Sequence, residues 1–162
     1  GLPTKHATIT AGTWYYAGGG WHPGADFATP TGSAITAPAD GVLLGRAAGA
    51  NGYGNHIVAA FKKGDYVYTM IFAHMSGFVD GVTSFKKGDK IGISGNTGNS
   101  TGPHVHVEVF RHNTSSLSTV VKEFKKNHDY WFGLGYSSKG NANTVQRLQP
   151  TDFFGVSVGK TY

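Results

Sequence analysis

Asn96-Thr97-Gly98-Asn99-Ser100-Thr101-Gly102-Pro103-His104-Val105-His106-Val107-Glu108-Val109-Phe110-Arg111 changes character halfway along. Gly98, Asn99, Gly102 and Pro103 are loop formers, whereas from His104 onward β-branched and aromatic residues alternate with polar ones, the pattern of a strand. Successive side chains of a strand point to opposite faces, so His104, His106 and Glu108 share one. Three polar, ligand-capable groups do not belong against an apolar core. Their face either lines a groove or is simply wet, and the segments upstream decide between the two.

Working back from this stretch, Lys90 to Ser94 reads as a strand that leads into it through Gly95. Tyr66 to Ala73 is another, with Tyr66, Tyr68 and Met70 alternating against Val67, Thr69 and Ile71, and it ends at His74. Asn55 to Phe61 precedes it across the tight turn Lys62-Lys63-Gly64-Asp65. Ser33 to Ala48 reads as two short strands broken by a hairpin-like turn at Pro38-Ala39-Asp40-Gly41. The pentapeptide Phe-Lys-Lys-Gly-Asp occurs at Phe61 to Asp65 and again at Phe85 to Asp89, which is the same turn chemistry used twice. Beyond Arg111 the period changes. Leu117, Val120, Val121 and Phe124 fall at i, i+3, i+4 and i+7, which predicts an amphipathic helix over 117–126. The aromatic run Tyr130 to Tyr136 and Asp152-Phe153-Phe154 pack the tail onto the body or flank the groove. The fold class that follows is mainly β, with antiparallel sheets and one helix in a C-terminal extension.

With 162 residues the chain has room for one ordinary domain and no second. We read 1–162 as a single domain, with a core of about 18–111 and an extension over 112–162. The 25 glycines imply many turns and short strands. The chain has no cysteine, so disulfides and thiolate metal sites are excluded and any transition metal must be held by His, Asp or Glu. No apolar stretch approaches the roughly 20 residues of a membrane span, and the opening Gly1-Leu2-Pro3-Thr4-Lys5 lacks a signal-peptide core, which reads as a mature form or an excised domain. A formal charge of +5 favours anionic surfaces. No cluster of Arg and Lys interleaved with stacking aromatics is present, so nucleic acid is not an expected partner.

Two further stretches carry polar groups. In Trp21-His22-Pro23-Gly24-Ala25-Asp26, Pro23 and Gly24 argue against a helix, so an extended or turn-like segment presents His22 and Asp26. Just before it stand Trp14, Tyr15 and Tyr16, of which at least one tyrosine is expected in a groove wall. His22, Asp26, His104 and His106, with His74 as another candidate, make a cysteine-free set of metal-type ligands. Three protein ligands and an open position describe a hydrolytic zinc site, and four describe a structural one.

The pattern H-x-G-x-D at His22, Gly24 and Asp26, then Ala73-His74-Met75-Ser76, Ser94-Gly95-Asn96-Thr97-Gly98 and H-x-H at His104 and His106 resembles the lysostaphin-type zinc metallopeptidases that cut bacterial peptidoglycan, over about Gly18 to Phe110. The resemblance implies an antiparallel β fold with a narrow groove in which His22, Asp26 and His106 hold one zinc and His74 and His104 are the catalytic histidines. It implies peptidoglycan as substrate, cut in cross-links or stem peptides containing glycine or alanine. It further implies a monomer that is bacteriolytic and acts on the cell wall from outside, either secreted or phage-encoded. The chain departs from lysostaphin in having no wall-targeting domain and a longer, more helical segment over 113–148. Glu108 stands where a group orienting a ligand would be useful, but a strand glutamate more often hydrogen-bonds at the surface, and it is assigned no role.

Two other classes fit part of the pattern. Two histidines and an aspartate are also the ligands of facial-triad iron oxygenases, although those use H-x-D and need no H-x-H. An inert wall-binding or activator module of the same fold would have lost ligands, and here none is lost.

Overall fold

The computed structural model describes residues 1–16, 19–134 and 144–162. Its larger sheet is assembled around β10 (His104–His112), the strand predicted from the alternation after Pro103. One edge of β10 pairs antiparallel with β6 (Tyr66–Met75), which forms a hairpin with β5 (Asn55–Lys63). The other edge is divided. Its first half pairs with β2 (Ala25–Ala28), in register His106 to Asp26, and its second half with β11 (Val145–Leu148), in register Phe110 to Arg147. With β1 (Thr8–Ala11), β4 (Gly41–Ala47) and β8 (Ser84–Phe85), the order is β1-β2-β10-β6-β5-β4-β8. A smaller sheet has the order β3-β9-β7, from β3 (Ala34–Thr36), β9 (Lys90–Ile93) and β7 (Gly77–Phe78).

The two faces of the large sheet are buried differently. Val105, Val107 and Val109 of β10 join Phe27, Ile57, Phe61, Met70 and Phe72 in the main core, which Ile35 and Ile91 of the small sheet complete. Phe153 and Phe154 of α2 (Pro150–Phe154) pack against Tyr68 and Phe27, so the tail closes this core. On the opposite face Phe110, Ile71 and Val58 lie under Phe124 of α1 (Leu117–Asn127) and under Tyr130, Trp131 and Phe132. The helix begins where Ser116 Oγ accepts from the Thr119 amide and ends where His128 turns left-handed, at φ 50°. It covers the Phe110 end of β10 and leaves the His104 end to a groove.

Two expectations are corrected by the sheet topology. Residues 38–41 form no hairpin, because β3 pairs with β9 and β4 with β5 and β8; the turn carries the chain from one sheet to the other. The repeated pentapeptide is a turn at both places, with Gly64 and Gly88 at positive φ. Its first copy closes the β5–β6 hairpin, and its second joins β8 in the large sheet to β9 in the small one. Strand β6 runs through His74 to Met75 instead of stopping at His74. Tyr136, from the predicted aromatic run, and Gly18 lie outside the described residues.

Candidate metal centre

Pairing places Asp26 on β2 directly opposite His106 on β10, on the same face of the sheet. This close approach depends on Gly24, where a Cβ would stand 2.2 Å from the Val107 carbonyl oxygen. The glycine of the H-x-G-x-D pattern is therefore a packing requirement. His22 precedes the strand, with its amide bonded to the Trp14 carbonyl, and its ring is completely buried. His22 Nε2 lies 3.0 Å from Asp26 Oδ1 and 3.0 Å from His106 Nδ1, and His106 Nδ1 lies 3.1 Å from Asp26 Oδ1. Ligands about 2.0–2.1 Å from a tetrahedral zinc are roughly 3.3 Å apart, so this triangle has the size of one face of such a site.

Protonation supports the same reading. Glu108 accepts from His106 Nε2 at 3.0 Å, which leaves Nδ1 as the atom turned toward Asp26 and His22. Without a cation, lone pairs of His106 and Asp26 would face each other. Burial lowers the His106 pKa, but hydrogen bonds to Asp26 and Glu108 outweigh it and lift it to about 9, so a proton fills the gap. Burial alone would raise Asp26, yet His106 and His22 hold its carboxyl well below the usual range. A divalent cation serves the same anionic cluster and displaces that proton. His22 Nδ1 is buried without a hydrogen-bond partner among the described residues, so the polar contacts of this ring run through Nε2 to Asp26 and His106. The residues present thus fit a metal held by His22, Asp26 and His106, the set whose ligand atoms lie together among the described residues.

His74 reaches this point by a break in strand alternation. It has the parity of Phe72, which faces the main core, but its backbone is left-handed at φ 60°, and β6 carries an extra residue against β5 between Phe72 and Met75. Such a bulge re-aims a side chain. His74 Nδ1–H donates to the Thr97 carbonyl at 2.7 Å, and Thr97 is itself held by Asn55 and Met75. The Ser94 to Gly98 motif is thereby explained as the cradle of this ring. Burial lowers the His74 pKa to about 4, against the opposing bond from Thr97, so at neutral pH its Nε2 is a lone pair. His104 Nδ1–H donates to the Gly102 carbonyl at 2.7 Å, and its Nε2 stands 3.6 Å from Asp26 Oδ1. The ring centroids of His74 and His104 are 4.8 Å apart. All five predicted residues are brought together, with His104 beside the triangle of ligand atoms and outside it.

The groove extends to both sides. One wall has Tyr16, Gly52, Tyr53 and Trp131, and the other end is lined by Ala28, Ser100, Thr101 and Gly102. Tyr16, 45% exposed, lays its ring 4.2 Å from that of His22, while Trp14 and Trp21 stack behind it.

Glu108 differs from expectation, since it is fully buried instead of at the surface. Besides His106 it accepts from the Tyr53 hydroxyl and from Arg147, and Trp131 Nε1 donates to Tyr53 Oη at 3.0 Å. Burial raises the Glu108 pKa, but His106 and Arg147 outweigh it and keep the carboxyl ionised. The same burial, with Glu108 adjacent, pushes the Tyr53 hydroxyl far up. Tyr53 and Arg147 were not anticipated, whereas Trp131 belongs to the aromatic run expected either to pack the tail onto the body or to flank the groove, and it flanks the groove. An aromatic isolated between turn glycines in Gly52-Tyr53-Gly54 was a weak signal; for Arg147 there was none, because its contact spans 39 residues of sequence.

A β fold whose groove has two histidines and an aspartate converging on one point, with two more histidines at hand, defines a metallopeptidase type of site. The chain belongs to peptidase family M23, whose family model matches residues 20–118. It is 34% identical to the glycyl-glycine endopeptidase ALE-1 of Staphylococcus capitis over 130 residues, 77% of this chain and 34% of that protein. It is 39% identical to the DD-carboxypeptidase/endopeptidase Mpg of Neisseria meningitidis over 89 residues, 54% of this chain. That match spans about a fifth of the relative's length, 19%. Among solved structures it is similar to the catalytic domain of lysostaphin from Staphylococcus simulans, at 31% identity and a TM-score of 0.57, covering 70% of this chain and 86% of that one. It is also similar to a zinc-containing peptidase from Vibrio cholerae, at 30% identity and a TM-score of 0.58, covering 70% and 36%.

Proposed function

We propose that this chain is a zinc-dependent endopeptidase that hydrolyses peptide bonds in the cross-links or stem peptides of bacterial peptidoglycan, with one zinc held by His22, Asp26 and His106. The observation that carries the reading is the triangle of ligand atoms on a groove floor, with the Nδ1–H of both His74 and His104 tied to backbone carbonyls. Bound zinc supplies a Lewis acid and brings the pKa of a coordinated water toward about 7. His74, an unprotonated imidazole with Nε2 free to accept, takes the proton of the attacking water. His104, on the facing side, would hold charge developing on the scissile carbonyl oxygen in its doubly protonated form, with Nδ1–H on the Gly102 carbonyl and Nε2–H donating to that oxygen. Glu108 keeps the proton of His106 on Nε2.

Ala28, Gly52 and Gly102 in the groove leave space for a chain of small residues, which suits glycine or alanine on either side of the cut. The names of two relatives point the same way, one a glycyl-glycine endopeptidase and the other a DD-carboxypeptidase/endopeptidase. Such a substrate places the action at the cell wall, outside the membrane. The test is digestion of purified cell walls by the protein as isolated, after chelation, and after zinc is restored, with mass analysis of the released peptides. Zinc-dependent release of peptides cut at glycine or D-alanine is expected. Full activity in a verified metal-free chain, or no peptide-bond cleavage by the zinc-loaded one, overturns the reading.

A further inference from the structure

Arg147 is among the most deeply buried side chains, yet it lies outside the residues matched by the family model, 20–118. It arrives on β11, which occupies the edge of β10 that β2 leaves free, and the register of Phe110 with Arg147 sets the guanidinium against Glu108. A fully buried ion pair contributes little net stability, because desolvation offsets the attraction. Its depth calls for another reason, which lies in how the two carboxylate oxygens of Glu108 are used. Oε1 accepts from Arg147 Nη1, whereas Oε2 accepts from His106 Nε2 and from the Tyr53 hydroxyl. The terminal torsion of a glutamate is soft, so contacts on Oε2 alone would let the group swing. Arg147 pins the second oxygen. It is pinned in turn by the Phe110 ring, whose centroid is 4.7 Å from the guanidinium carbon.

We propose that Arg147 is a positioning residue for the metal site: by fixing the carboxylate of Glu108 it fixes the tautomer and ring plane of His106, and so the direction in which Nδ1 presents its lone pair. The extension beyond 118 is then part of the centre. Trp131 acts on the other oxygen through Tyr53. The inference rests on His22, Asp26 and His106 being metal ligands.

The test measures zinc affinity of the full chain by competition with a chromophoric chelator, with the visible spectrum of the cobalt(II)-loaded protein as a second readout. Arg147→Met should weaken zinc binding about ten- to a hundredfold, the scale for groups that orient a ligand, and shift the cobalt bands. Arg147→Lys should recover part of the loss. Because Arg147 acts through Glu108, the Glu108→Gln/Arg147→Met double variant should bind zinc no more weakly than Glu108→Gln alone. Near-ultraviolet circular dichroism checks folding, and if the methionine variant does not fold, Arg147→Lys completes the same cycle. Wild-type affinity and spectrum in a folded Arg147 variant overturn the proposal, as do fully additive losses. A wild-type chain that binds no zinc overturns the reading of the ligands instead.

Discussion

His106 commits its two ring nitrogens to opposite partners, Nε2 to Glu108 and Nδ1 to the triangle with His22 and Asp26. That division separates the five candidate residues into two kinds of variant. His22→Ala, Asp26→Ala and His106→Ala should each lose stoichiometric zinc, measured by metal analysis after dialysis, together with activity. His74→Ala and His104→Ala should keep zinc and lose about a hundredfold or more in rate, the usual scale for a positioned acid, base or charge stabiliser. Equal metal loss in His104→Ala and His106→Ala would make the site four-coordinate and closed. A further residue, His112, is buried away from this centre, where its Nε2 meets Thr69 Oγ1 at 2.8 Å beside the Phe132 ring. Burial lowers its pKa from 6.5 to about 4. The folded state thus binds this proton less readily than the unfolded state, and the stability is present above pH 6.5 and lost as pH falls toward 4. Between pH 7.5 and pH 5 the wild type should lose about 2 kcal/mol more than His112→Gln in urea unfolding of the metal-free protein. His74 carries a depression of the same sign and is present in both proteins, so the difference isolates His112.

At the scale of elements, the site depends on where strands are irregular or unusually close. β2 can approach β10 because Gly24 has no side chain, its would-be Cβ falling on a backbone oxygen that cannot move aside. Gly24→Ala should therefore separate Asp26 from His106, destabilise the fold by roughly 1–3 kcal/mol and weaken zinc binding in parallel, read from urea midpoints and chelator competition. The bulge in β6 is the second irregularity, and it is what turns His74 from the core face to the groove. α1 has a different part. Phe124 lies against Val58, Ile71 and Phe110 on the face of the sheet that carries the site, toward the far end of β10 from His104, at 4% exposure. Phe124→Ala should cost about 3–5 kcal/mol in unfolding free energy while leaving the zinc stoichiometry of the folded protein unchanged. Loss of zinc without loss of stability would show that the helix shapes the centre directly.

For the whole molecule, the proposed ligands, drawn from β2, β10 and the loop before β2, join segments 80 residues apart, from Asp26 to His106, so a metal bound there would couple to folding. At a free zinc concentration a hundred times the dissociation constant the coupling is worth about 2.7 kcal/mol. Chelation should then lower the unfolding temperature by roughly 5–10 °C for a chain of this size, and His106→Ala should show no such shift in calorimetry. Much of this was legible in the sequence. Alternation after Pro103 predicted β10 and the shared face of His104 and His106, and the 3.6-residue period predicted α1, because these signals are local and have fixed periods; the motif order carried the resemblance that added His22, Asp26 and His74 as candidates. Other features have no local signal. The bulge at His74 is a register event between two strands, and the separate sheets joined by residues 38–41 depend on partners far away in sequence. The burial of Glu108 is of the same kind: a strand glutamate looks alike whether it faces water or a guanidinium. Its place was decided by β11, which brings Arg147 to the free half of the β10 edge, and by Tyr53 and Trp131 closing over the carboxylate. The sequence by itself therefore determined the residue types of the candidate ligand set and the strand that carries the histidine pair. Tertiary structure alone decided which ring atoms face one another and what holds them there, because long-range strand pairing sets those distances.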